Sequence, residues 1–162
     1  MKVRHAMLAL VVLTVGVTLT SVAAAGPDAA KQRVAIDMAG GQRFSLIPLQ
    51  TGALKPDSGP STADPQRGRS FMRQGQQVSI YNITYTLSGK QGNLTIQEKN
   101  EWVDVSQKNA RGFDYRPGVA IGTWKVVSGT GAYAKVVGGG RSAHAGMGKQ
   151  WFIRLEGYLT PR

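Results

Sequence analysis

Between Asn93 and Val105 the chain reads NLTIQEKNEWVDV, and a strand of that sequence sorts its residues by parity. Leu94, Ile96, Glu98, Asn100, Trp102 and Asp104 fall on one side, and Thr95, Gln97, Lys99, Glu101, Val103 and Val105 on the other. The first set mixes apolar residues with a carboxylate and an amide, as the wall of a pocket would. A carboxylate held between Ile96 and Trp102 loses solvation, its pKa rises, and it becomes a general acid or base. The competing reading leaves Glu98 in solvent near a strand end, paired with Lys99 or another base. Tyr81 and Tyr85 share a face of the preceding strand with Ile83 and Leu87. Their phenols could donate to a ligand, or the rings could pack and send their hydroxyls to the rim. His144 stands among Ala143, Ala145 and Gly146, with only His5 besides it in the chain. Imidazole moves protons near neutral pH; a structural role is the alternative. Arg141, on the same short segment, is expected on the same side as His144, where it could bind an anionic group.

Several chemistries are excluded. There is no Cys, so thiol catalysis, Cys-based metal sites and disulfides are absent. One His beyond the N-terminus makes a poor metal site, and no G-x-S-x-G, H-E-x-x-H or P-loop occurs. A Ser-His-Asp triad has no spacing to support it. Neither a metal nor an organic cofactor is expected. Twenty basic residues face 9 acidic ones, a formal charge of +11. Such a surface suits anionic envelope polymers, or serves solubility alone; no specific nucleic acid is implied. Only Arg67, Arg69 and Arg73 cluster.

These side chains need elements to hold them. Met1–His5 is a short basic head, Ala6–Leu19 carries no charge, and Ala23 and Ala25 satisfy an A-x-A cleavage rule. Residues 1–25 therefore read as a signal peptide, and the protein as secreted or held in the cell envelope. An uncleaved anchor, the alternative, would deliver the domain to the same side. Residues 26–32 read as a flexible new N-terminus, and 33–162 as a single domain. Arg33–Ala39 and Gln42–Leu49 alternate and are joined by Gly40-Gly41, a hairpin signal. Residues 51–76, with Pro56, Pro60 and Pro65 and four glycines, read as a long loop, either a lid or disordered. From Val78 onward strands alternate with Gly-rich turns: Val78–Ser88, Asn93–Val105, Val119–Ser128, Ala132–Val137, Arg141–Met147 and Gln150–Leu159, with Ser106–Gly112 a polar loop. No segment keeps a helical period. The expected fold is all-β, an antiparallel closed barrel of about eight strands.

Gly122–Arg141 runs GTWKVVSGTGAYAKVVGGGR. The turn Gly129-Thr130-Gly131, the aromatic Tyr133 and the turn Gly138-Gly139-Gly140 make this block resemble bacterial secreted relatives of the plant dirigent proteins and allene oxide cyclases. The resemblance covers this block and, more loosely, Trp151–Leu159. It implies an eight-stranded antiparallel barrel with an internal pocket, working on small apolar molecules without cofactor. It adds Tyr133 to the ligand-binding candidates. Gly122-Thr123-Trp124 also points to calycin-like barrels, although a lipocalin carries its G-x-W on the first strand.

Three functions follow as expectations. The chain is a secreted barrel binding a small apolar or aromatic molecule through Tyr81, Tyr85, Glu98, Asn100, Trp102, Tyr133, Arg141 and His144. Alternatively it is a cofactor-free cyclase or isomerase, with Glu98 and His144 as catalytic candidates, or an envelope protein held by its basic charge. A dimer or trimer is compatible with each.

Overall fold

The computed structural model of the chain describes residues 30–105, 117–147 and 150–162. The leader expected at residues 1–25 and the polar loop expected at residues 106–112 lie outside the described residues. Eight strands follow one another: β1 Gln32–Ala39, β2 Arg43–Pro48, β3 Asp57–Arg73, β4 Gln76–Gly89, β5 Gly92–Asp104, β6 Pro117–Gly129, β7 Val137–Met147 and β8 Gln150–Thr160. Each pairs antiparallel with its neighbours in sequence, and β8 returns to β1 with Ile36 opposite Leu155, so the sheet closes into a ring without a crossover.

Period-two alternation decides which face of each strand turns inward. Val34, Ile36 and Met38 of β1, Phe44 and Leu46 of β2, and Leu94 and Ile96 of β5 are all buried inside. The outer face mixes charged residues with exposed apolar ones, Ile47, Val119, Ile121 and Phe152 among them. Arg154 bridges Asp37 at 3.0 Å and Glu156 at 2.7 Å, and Arg33 reaches Glu156.

Three sequence expectations need correction. Residues 51–76 are not a continuous loop, because 57–73 form β3. β2 pairs with β3 only from Arg43 opposite Pro60 to Leu46 opposite Asp57. Beyond Ser61, β3 is hydrogen-bonded to β4 but not to β2, and an edge strand is where a sheet tolerates proline. Ala132–Val137 is no strand either: Gly131–Tyr133 is a single 3-10 turn, and β7 begins at Val137. Gln32, placed by the sequence in a flexible tail, is a buried residue of β1 whose amide binds the backbone of Gln50 and Leu54.

The two ends of the ring differ. At the end holding the β2–β3 and β4–β5 connections, Leu54, Leu87, Leu94, Tyr133, Val136 and Leu159 are packed together. Asp57 seals it, accepting hydrogen bonds from the backbone N–H groups of Ser58, Lys90 and Gln91 and from Tyr133 Oη at 2.9 Å. Desolvation raises the Asp57 pKa, but these bonds outweigh it and hold the carboxyl below its ordinary value. The opposite end is polar inside.

Candidate functional site

Glu98, Asn100 and Trp102 project inward from β5, and Ser142 and His144 from β7, two strands away. Between them runs β6, whose inward residues at this level are small. Gly122 lies opposite both Asn100 and Ser142, and Ala120 opposite both Trp102 and His144. A Cβ at Gly122 would come within 2.7 Å of the Asn100 Cβ and 2.8 Å of Ser142 Oγ. Glycine here lets side chains from β5 and β7 close over β6.

Glu98 is fully buried, and three donors meet its carboxylate. His144 Nε2 lies 2.7 Å from Oε1, Ser142 Oγ donates to the same oxygen, and Tyr85 Oη donates to Oε2 at 3.0 Å. This settles the alternatives for Glu98 in favour of the inner face, and it corrects the direction of its titration. Burial does raise the pKa, but the bond and charge of His144, with Ser142 and Tyr85, reverse the shift and leave Glu98 below its ordinary value. The carboxylate is thus held ionised. Tyr85 is pushed the other way, by burial first and then by the Glu98 charge. Its phenol remains a donor to Glu98, so Tyr85 belongs to the network while its ring packs in the core.

His144 offers its Nε2 to Glu98, and its Nδ1 has no hydrogen-bond partner among the described residues. A carboxylate that fixes one ring nitrogen orients the other, as in acid–base dyads generally. Ser142 donates to Glu98 and not to His144, so the three do not form a nucleophilic triad.

Asn100, 3% exposed, has an unpaired Oδ1. Across the ladder, Tyr81 stands opposite Asn100 and Arg67 opposite Tyr81. A bulge between Arg67 and Ser70 sets Gly68 and Arg69 of β3 against Ile80 of β4, so that Arg67 and Ser70 share a face with Tyr81 and Ser79 while remaining exposed. There Arg67 donates to Ser70 and Ser79, whose hydroxyls lie 2.8 Å apart. Arg69 and Arg73 stand instead about the ring of Phe71, and Arg73 pairs with Glu101 at 2.7 Å. Trp102 packs on Trp151, ring centroids 4.6 Å apart.

Two candidates lie elsewhere. Tyr133 is buried at the sealed end with its hydroxyl on Asp57. Arg141 is exposed on the outer face, because it lies three positions before His144 and period two places them on opposite sides. It lines an outer groove of about 1090 Å³ together with Lys99, Thr123 and Arg154. Ser142 and Arg67 are the members that sequence reasoning missed. Ser142 shares parity with His144, which was signal enough. Arg67 depends on the bulge, which leaves no clear mark in the sequence. Among the described residues, no cluster of three His, Cys, Asp or Glu could hold a metal ion. No family model, curated protein or solved structure matches the chain.

Proposed function

We propose that this is an exported barrel of the dirigent and allene oxide cyclase type that binds a small, largely apolar molecule at the polar end of its ring. The observation that carries this reading is the burial of Glu98, Asn100, Ser142 and His144 together at one end of a largely apolar core. Buried ionic and polar groups are costly to keep, and packing alone would be served as well by hydrophobic residues. The bound molecule sits beyond the level of Glu98, because the rest of the interior is filled by Ile36, Leu46, Leu87, Ile96 and Leu155. Native mass spectrometry of the purified protein tests the reading. A small molecule that co-purifies, and that is lost from His144→Ala, supports it. Empty protein from several hosts, bound by nothing in a metabolite panel, overturns it.

A second reading, a cofactor-free isomerase, is favoured by His144, whose Nε2 is fixed by Glu98 while Nδ1 is unbonded. In it, His144 takes a proton from carbon and returns it one or two atoms away, and Glu98 stabilises the imidazolium. Deuterium incorporated from D2O into the bound molecule, and absent with His144→Ala, is its signature; no exchange in the wild type removes it.

A further inference from the structure

We propose that the outer groove over β5, β6 and β7 is a second binding site, and that it holds an extended carboxylated polysaccharide. The groove is separate from the polar end of the ring and does not depend on what binds there.

Its volume is about 1090 Å³, and it runs across the strands from Arg69 of β3 to Arg154 and Glu156 of β8, with Thr123 and Ala143 at its centre. Pockets for small molecules enclose most of their ligand's surface. This groove lies open on the outer face, where it suits a chain. Thr123 stands in register with Lys99 on one side and Arg141 on the other. Both cations are exposed, and neither makes a hydrogen bond or ion pair with any described residue. The carboxylates of the groove are already matched. Glu101 is held by Arg73 at 2.7 Å, and Glu156 by Arg154 at 2.7 Å and Arg33 at 3.5 Å. Uncompensated positive charge is therefore left at the centre of the groove, and it attracts an anionic partner.

The lining also selects among polyanions. β5, β6 and β7 are each hydrogen-bonded on both sides, so an extended peptide finds no strand edge to lengthen. Among the described residues, no aromatic side chain lines the groove, and single-stranded nucleic acid lacks the stacking platform it uses. Glu101 and Glu156 repel a chain that carries a phosphate at every unit, yet their oxygens accept from hydroxyls, as do Asn82 and Thr123. A polymer of uronic acids matches this lining. It brings carboxylates for Lys99 and Arg141, many hydroxyls, and apolar ring faces for Ile121, which is 68% exposed.

The test is isothermal titration calorimetry of the purified protein at low salt with oligogalacturonate, polyphosphate of equal charge and neutral dextran. Oligogalacturonate is expected to bind at least tenfold more tightly than polyphosphate, and dextran not at all. Lys99→Gln with Arg141→Gln should weaken the uronate at least tenfold. Lys55→Gln with Lys135→Gln removes the same charge at the sealed end and should change its affinity less than twofold. All four side chains are exposed, so neither variant disturbs the core. Equal losses from the two pairs would show attraction by net charge alone and overturn the proposal. Polyphosphate bound as tightly as the uronate, or a uronate that does not bind, overturns it as well, and each leaves the reading of the polar end standing.

Discussion

Glu98 on β5 and His144 on β7 meet at 2.7 Å across the intervening strand, and Gly122 on that strand is the residue that leaves them room. The Cβ of an alanine there would fall 2.4 Å from the backbone oxygen of Lys99, as well as against Asn100 and Ser142. A backbone oxygen cannot swing aside as a side chain would. Gly122→Ala is therefore expected to destabilise the fold by about 1–3 kcal/mol, the usual cost of overpacking, and to loosen the Glu98–His144 contact. Urea unfolding measures the first effect, and the histidine side-chain NMR signals report the second. A variant as stable as the wild type, with unchanged imidazole signals, would contradict this account of the site.

The depressed pKa of Glu98 has a definite consequence for stability. Its contribution is complete above the unfolded value of 4.5 and is lost as pH falls through the lower folded value. Glu98→Gln keeps the shape but lacks the charge, and hydrogen bonds to a charged group contribute about 1.5–3 kcal/mol. The variant should be less stable by about that much at neutral pH, and the two proteins should converge in acid. Denaturant midpoints followed from pH 7 to pH 3 check the sign: a gap that widens toward acid would mean that Glu98 is protonated in the fold.

Asn100→Leu is expected to go the other way. Removing an unpaired buried acceptor relieves a penalty of about 1–3 kcal/mol, and leucine fills a similar space. Ligand-free protein should gain stability of that order in urea unfolding. A loss of stability would show that the amide is satisfied in the free protein.

Much of this architecture was legible from residue patterns, and the reasons are local. β5 betrays its inner face because Leu94, Ile96, Glu98, Asn100 and Trp102 alternate with Thr95, Gln97, Lys99 and Glu101, and the structure keeps that alternation of burial as far as Asn100, past which the strand is half-buried on both faces. What composition hid was β3. Pro60 and Pro65 signal a loop when read locally, but Pro65 lies on an edge, because the 17-residue β3 outruns the 6-residue β2 beyond Ser61, a difference in strand length that no local window shows. Glu98 was ambiguous for a similar reason. Whether a carboxylate is exposed depends on donors from β4 and β7, more than ten residues away in the chain, and no local window contains them. Arg141 is expected beside His144, yet the odd spacing between them along β7 already places it on the opposite face. The sequence marks Tyr133 by its ring alone, whereas its hydroxyl closes a bond to Asp57, 76 positions earlier in the chain.

That bond separates the two ends of the molecule experimentally. Asp57 ties the start of β3 to the β4–β5 turn through Lys90 and Gln91 and to the β6–β7 connection through Tyr133. Asp57→Ala leaves these donors without an acceptor and should cost about 1–3 kcal/mol. Tyr133→Phe removes one bond and leaves the backbone contacts, so its cost should be smaller, about 1 kcal/mol. Neither touches Glu98, Asn100 or His144, and contributions from distant sites add. The double variant with Glu98→Gln should therefore lose the sum of the separate costs, and ligand affinity at the polar end should be unchanged by either substitution at the sealed end. Coupling between Asp57 and Glu98 well beyond half a kcal/mol would show that the packed core between them transmits strain, and that the ring does not hold its site on a rigid frame.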